Sequence, residues 1–140
     1  MADCGAAAFR AARAMVGARF RPQGKDPATG LDCVGLVWAA YAAAGRRLAR
    51  PAAYPLRGWC LDRIEGALAA AGFVRASDAV RPGDVALIAH PARQYHLGLI
   101  GPETFIHAHA GLRRVVETPL DDGLRDAVRW RLPLCPPRCD

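Results

Sequence analysis

The hydrophobic pattern of this 140-residue sequence changes its period at Gly72, and this change constrains the fold more than any other feature. Before Gly72, three segments have helical character, at 6–16, 31–45 and about 61–71. After Gly72, glycine and proline signals separate five short apolar runs that predict strands, within 81–90, 96–101, 104–111, 113–120 and 127–132. Because helices come first and the strand connections are short, the sequence predicts an α+β fold with a meandering antiparallel sheet.

The chain length suits a single domain over residues 1–140, long enough to bury about two-thirds of its unfolded surface. Within this domain we expect an N-terminal helix in residues 1–16, ended by Gly17, and a flexible tail at 133–140. The prolines and glycines of residues 18–30 predict a loop. No repeat or low-complexity linker divides the sequence.

The N-terminus lacks the uninterrupted apolar segment of a signal peptide, since Asp3, Arg10 and Arg13 break it. The longest apolar run, Val34 to Gly45, is too short to span a bilayer. We therefore expect a soluble protein that is cytoplasmic as synthesised, without a transmembrane segment.

The formal net charge of +6 would suit a polyanionic partner such as nucleic acid or an anionic envelope polymer. However, Lys25 is the only lysine among 19 basic residues in an alanine-rich chain, which is typical of a codon bias. There is also no dense basic run or interleaved aromatic stripe. We therefore expect no nucleic-acid partner.

The cysteines are odd in number and irregularly spaced, which predicts reduced thiols rather than a disulfide framework. They are Cys4, Cys33, Cys60, Cys135 and Cys139. The C-x3-C spacing of the last two could form half of a zinc site, but no second ligand pair accompanies it. We expect no metal.

Cys33 differs from the other cysteines because it stands at the predicted start of a helix. Asp32 is a plausible N-cap and Gly45 a C-terminal stop. Unpaired backbone N–H groups and the helix dipole favour a thiolate there, so the position suits a nucleophile. The alternative is that Cys33 is a small buried hydrophobic residue.

Histidines are the candidate bases for such a nucleophile, and the sequence has four: His90, His96, His107 and His109. A hairpin centred on residues 102–103 would pair Leu99 with Ile106 and His96 with His109. Side-chain alternation then puts His96, His107 and His109 on one face of the sheet, with His96 and His107 as diagonal neighbours.

Four of these segments resemble the NlpC/P60 cysteine peptidases, in the family's order, over about Gly17 to Val116. The segment "LDCVGLVWAAYAAAG" resembles the Asp-Cys-Ser-Gly-Leu-Val run that carries the family's nucleophile at the start of a helix. "RPGDVALI", "HLGLIG" and "FIHA" resemble its Pro-Gly-Asp segment, its His-Val-Gly-Ile strand and the segment of its third residue.

The resemblance implies a papain-like core in which Cys33 is the nucleophile, His96 the general base and acid, and His107 the residue that orients His96. It implies that Asp32 helps to bind the free amine of the substrate, and that no cofactor is required. The expected activity is hydrolysis of amide bonds in peptidoglycan stem peptides, commonly the γ-D-glutamyl to diamino-acid bond. An acyltransferase or amidase on the same core, or a non-catalytic peptidoglycan-binding or tail-assembly protein, is the alternative.

The valine after the nucleophile resembles the phage-type branch of the family, which implies phage-tail partners and action in the periplasm or cell wall. Two positions depart from the family's usual pattern. A tyrosine upstream of the nucleophile is Phe20 here, and the serine after the cysteine is Val34. Since both changes remove polar groups, we expect a narrowed or altered substrate range rather than an inactive protein.

Overall fold

A computed structural model describes residues 4–49, 61–90 and 94–133 of the chain. The fold is α+β, as predicted. The helices are α1 (Cys4–Ala14), α2 (Cys33–Ala43), α3 (Leu61–Ala70) and α4 (Asp122–Arg125). The strands are β1 (Lys25–Asp26), β2 (Gly30–Leu31), β3 (Val74–Ala76), β4 (Asp84–His90), β5 (Gln94–Ile100), β6 (Thr104–His109), β7 (Arg114–Pro119) and β8 (Val128–Arg131).

The main sheet has six strands in the order β3-β8-β4-β5-β6-β7, with antiparallel neighbours throughout. The five predicted strands correspond to β4–β8, and the meander is correct from β4 to β7. It is wrong for β8, which lies between β3 and β4 and pairs Trp130 with Val85. The sequence missed β3 because a three-residue edge strand has no measurable period.

The predicted loop at 18–30 contains the two-residue strands β1 and β2, which pair with each other. Phe20 adds an isolated bridge to Leu31, and Arg19 bridges to Arg114 at the start of β7. These pairings hold the segment before α2 against both the helix start and the main sheet.

Helix α2 is the central helix, and the residues buried along it occupy most of its circumference: Val34, Gly35, Leu36, Val37, Trp38, Ala40 and Tyr41. It begins directly after Asp32 and ends before Gly45, whose φ of 90° is in the left-handed region. Both predicted ends are confirmed. Helix α1 begins and ends two residues earlier than the predicted 6–16.

Cys4 is disulfide-bonded, whereas Cys33 is a free thiol. The expectation that all five thiols are reduced is therefore wrong for Cys4. Cys60, Cys135 and Cys139 lie outside the described residues. Residues 134–140, which form most of the predicted flexible tail, also lie outside them. Among the helices of the described ranges, none combines the length and hydropathy needed to cross a bilayer.

A buried ionic network joins β4 to β8. The Asp84 side chain is 1% exposed, and its Oδ2 accepts from Arg129 Nη1 at 2.6 Å while its Oδ1 accepts from Arg131 Nε at 2.7 Å. Arg131 Nη1 also reaches Asp78 Oδ1 at 2.7 Å, and this lowers the pKa of the exposed Asp78 carboxyl. Asp84 therefore neutralises a buried guanidinium that would otherwise lack a counter-charge.

Candidate active site

The position of Cys33 is set by the capping of α2. The Oδ1 atom of Asp32 accepts from the Gly35 backbone N–H at 2.7 Å, and its Oδ2 accepts from the Gln23 N–H at 2.8 Å. The predicted N-cap is therefore confirmed. Since Asp32 is buried, with both oxygens bonded to backbone groups, it fixes the helix start and the preceding segment together.

The segment before α2 lies directly against its first turn. A Cβ atom added at Gly35 would lie 1.8 Å from the Gly24 carbonyl oxygen, so only glycine fits at this position. The Asp32 N–H also donates to this oxygen at 3.4 Å. The backbone is thus held in place both before Cys33, at Asp32, and after it, at Gly35.

The Cys33 side chain is partly buried, and its surroundings disfavour ionisation of the thiol. Burial raises the pKa of the Cys33 thiol to about 11, while a hydrogen bond from the Leu97 backbone lowers it and the nearby Asp32 charge raises it. The backbone N–H groups of Cys33 and Val34 lower this pKa, as predicted for a helix start, but the expectation that the thiolate is favoured there is wrong, because the net pKa is raised. Desolvation outweighs the backbone N–H groups, because the thiolate would lie between α2 and the sheet.

The contact with Leu97 places Cys33 where β5 and β6 separate. The β5–β6 ladder pairs Ile100 with Phe105 and Leu99 with Ile106 and ends there. Alternate residues of an antiparallel strand bond to opposite neighbours, so the Leu97 N–H has the direction of Leu99 and points toward β6. It meets the Cys33 sulfur instead of a ladder partner.

His96, directly before Leu97, is joined to His107 on the next strand. His96 Nε2 lies 2.9 Å from His107 Nδ1, and the ring centroids are 5.0 Å apart. The register that pairs Leu99 with Ile106 is confirmed, and with it the diagonal contact of the two histidines. The predicted pairing of His96 with His109 falls beyond the two residue pairs of the ladder.

His107 has further partners that the sequence analysis missed. The Phe105 ring stacks on it with centroids 4.6 Å apart and planes at 24°. Thr118 Oγ1 lies 3.4 Å from His107 Nε2. The Phe105 contact joins alternate residues of one strand, whereas the Thr118 contact has no local sequence signal, because Thr118 reaches His107 only through the pairing of β7 with β6.

His109 is the outer member of the row of histidines. Its Nδ1 accepts from the Leu112 N–H at 3.0 Å, within the turn that follows β6. Its ring centroid is 5.7 Å from that of His107, and it is partly exposed. The side chain of His90 lies outside the described residues.

Phe20 and Val34, the two departures from the family pattern, both lie against the hydrophobic core. Phe20 is partly buried against the core, and Val34 is 6% exposed on the first turn of α2. Neither side chain carries a hydrogen-bond donor. The donors described near the Cys33 sulfur are therefore backbone N–H groups, at the start of α2 and at Leu97.

A polar cleft of about 380 Å³ lies beside the Asp32 cap, since Gln23 and Gly24, which bond to Asp32, line it. Its lining residues are Arg21, Pro22, Gln23, Gly24, Lys25, Asp26 and Thr29. Within residues 4–49, 61–90 and 94–133, neither Arg21 nor Lys25 forms an ion pair. The same part of the chain contains no group of three or more His, Cys, Asp or Glu side chains arranged to hold a metal.

We expect alkylation of Cys33 in the free protein to keep accelerating about tenfold per pH unit beyond pH 9, because only the thiolate reacts and its pKa is raised. In the urea-unfolded chain, the same thiol should reach its maximal rate above about pH 9. The rate is measured with iodoacetamide and peptide mapping by mass spectrometry. A plateau below pH 9 in the folded protein would contradict the raised pKa.

Residues 17–128 match the model of the NlpC/P60 family. This match covers most of the chain, and the protein belongs to the NlpC/P60 family. No protein of curated function matches the sequence.

Solved structures share the fold at low sequence identity. NlpC2 from Trichomonas vaginalis is 20% identical with a TM-score of 0.68, over 94% of this chain and 47% of that protein. The NlpC/p60 domain of the peptidoglycan hydrolase SagA is 24% identical with a TM-score of 0.60, over 89% of this chain and 96% of that one. The peptidoglycan hydrolase RipB from Mycobacterium tuberculosis is 19% identical with a TM-score of 0.61, over 92% of this chain and 64% of that one. The chain thus spans about half the length of the Trichomonas protein.

Proposed function

We propose that this protein is a cysteine peptidase that hydrolyses amide bonds in peptidoglycan stem peptides, with the γ-D-glutamyl to diamino-acid bond as its first candidate. One observation carries the proposal. The hydrogen-bonded pair of His96 and His107 stands beside the point on β5 where the Cys33 sulfur meets the Leu97 backbone. Two similar structures, SagA and RipB, are peptidoglycan hydrolases, which supports the substrate class.

In the proposed mechanism, Cys33 is a protonated thiol until substrate binds, since burial raises its pKa. As the sulfur attacks the amide carbonyl, its proton passes to His96, and a carbon–sulfur bond forms. His96 then donates that proton to the leaving amine as the carbon–nitrogen bond breaks, which leaves a thioester. Water, deprotonated by His96, attacks the thioester, and the thiol is restored when sulfur leaves with the proton.

His107 accepts a hydrogen bond from His96 Nε2 in this mechanism and leaves His96 Nδ1 for the thiol. The oxyanion that forms on the carbonyl is stabilised by backbone N–H groups at the start of α2. Because Phe20 has no hydroxyl, the site has one donor fewer than the family pattern suggests, and backbone donors contribute a larger share.

Substrate binding is proposed at Asp32 and in the neighbouring cleft. The family resemblance supports a role of the Asp32 carboxylate in binding a substrate amine, and its two oxygens also accept from the Gly35 and Gln23 backbone N–H groups. The cations of Arg21 and Lys25 in the neighbouring cleft suit a peptide that carries free carboxylates. Stem peptides carry both free amines and free carboxylates.

We also propose that the protein acts outside the cytoplasm, in the periplasm or cell wall. The disulfide of Cys4 supports this location, because disulfides persist in oxidising compartments. Association with a phage tail or virion rests on the resemblance of residues 17–37 to the phage-type branch. Mass spectrometry of virions from cells that express the protein would test that association.

The proposed hydrolysis is tested by incubating the protein with defined stem peptides in ¹⁸O-labelled water and weighing the products. Hydrolysis places one labelled oxygen in the new carboxyl group. Transfer to an added amine without label would favour an acyltransferase. Binding without any product, at equal levels in wild type and Cys33→Ala, would contradict the peptidase and favour a non-catalytic role.

We expect His107→Ala to lower kcat about 10- to 100-fold and His109→Ala to leave it within about twofold. The reason is that His107 touches His96, whereas Nδ1 of His109 is occupied by the Leu112 N–H. Both variants are assayed on one stem peptide, and each serves as the control for the other. The reverse order would mean that His109 orients the base.

A further inference from the structure

Thr118 lies on the side of the His107 ring opposite His96. Its Oγ1 is 3.4 Å from His107 Nε2, at the long end of hydrogen-bonding distances, while His107 Nδ1 is 2.9 Å from His96 Nε2. Both ring nitrogens of His107 therefore face a polar atom. The three side chains form a line that runs from β5 through β6 to β7.

The local packing holds His107 in a position where Thr118 can act on it. Thr118 pairs directly with Phe105 in the β6–β7 register, so Thr118 and His107 are diagonal neighbours on one face. The Phe105 ring stacks on the imidazole and fixes its plane. Stacking does not select which nitrogen carries the hydrogen, whereas a hydroxyl that accepts from Nε2–H does.

The direction of hydrogen bonding along this line decides whether His96 can be a base. A neutral imidazole carries its hydrogen on one nitrogen, and a hydroxyl can donate or accept. If Thr118 accepts from His107 Nε2–H, then His107 Nδ1 accepts from His96 Nε2–H, and His96 keeps a lone pair on Nδ1. In the opposite direction His96 Nδ1 carries the hydrogen and cannot accept a proton from a thiol.

We propose that Thr118 is a positioning residue that holds His107 in the Nε2–H tautomer and thereby holds His96 in the tautomer that accepts the Cys33 proton. The catalytic consequence rests on the proposed function. The tautomers themselves are a property of the resting protein. Since Thr118 acts through His107, its loss lowers kcat and leaves KM unchanged.

The test combines imidazole ¹⁵N NMR with kinetics on three variants, at about pH 8, which is above the ordinary pKa of histidine. In the wild type we expect His96 and His107 in the Nε2–H tautomer. Thr118→Val should give His107 a measurable Nδ1–H population and lower kcat about three- to tenfold at constant KM, as expected for one hydrogen bond. Thr118→Ser should restore both values, because it keeps the hydroxyl.

Thr104→Val is the matched control, since it removes a hydroxyl from the neighbouring strand that bonds Glu117 at 2.6 Å. It should leave the tautomers and kcat unchanged. A wild-type His107 in the Nδ1–H tautomer, or a Thr118→Val variant with unaltered tautomers, would overturn the proposal. If the wild type cleaves no stem peptide, the proposed function fails, while the tautomer measurement still decides the role of Thr118.

Discussion

We expect Cys33→Ala and His96→Ala each to lower the rate of stem-peptide hydrolysis by about 10⁴-fold or more, to a similar residual level. The thiol has a raised pKa, so it has almost no thiolate near neutral pH without a base to take its proton. The base in turn has no function without the nucleophile. The two residues therefore act as one unit, and their effects do not add.

The measurement is kcat/KM for release of the product amine, with the double variant Cys33→Ala/His96→Ala as the control. The double variant should be no less active than either single variant. Circular dichroism and thermal unfolding should match the wild type, so that the loss is chemical rather than structural. Near-wild-type turnover in His96→Ala would remove His96 from the mechanism.

We expect Asp84→Ala to lower the free energy of unfolding by about 3–5 kcal/mol, the cost of leaving a buried charge without its partner. Arg129, whose side chain is 7% exposed, would lose its carboxylate at 2.6 Å, and Arg131 would lose one of its two carboxylate partners. The measurement is urea unfolding followed by circular dichroism, with the slope of the transition compared between variants.

Asp78→Ala is the matched control for this prediction, because Asp78 bonds the same Arg131 side chain but is 56% exposed. Solvent screens that pair, and its removal should cost about 1 kcal/mol or less. Equal destabilisation in the two variants would contradict the argument, since Asp84 is buried and pairs with the buried Arg129, whereas Asp78 is exposed.

The predictions that succeeded concern features determined by residues close together in the sequence. The cap at Asp32, the stop at Gly45 and the strands β4–β7 depend on residues within a few positions of each other. The register of Leu99 and Ile106 also followed from the sequence, because the short connection at 101–103 leaves little freedom in a hairpin. The diagonal contact of His96 and His107 followed from that register.

Other features involve residues far apart in the chain, and no local pattern encodes them. The insertion of β8 beside β4, the pairing of Arg129 with Asp84 and the contact of Thr118 with His107 depend on how complete elements pack. The sequence also placed His109 on the same face as His107 but could not rank them. The structure separates them through the turn that gives His109 its own donor, Leu112.

Cys33 shows most clearly which properties the sequence determines and which depend on the tertiary structure. Its place at the first turn of α2 was determined by the sequence alone, because N-capping by Asp32 and the apolar run that follows are local properties. The pKa of its thiol was decided by the tertiary structure, which packs the helix start against the gap between β5 and β6 and removes water from the sulfur. Helix signals act over a few residues, whereas desolvation depends on everything that surrounds the atom in the folded chain.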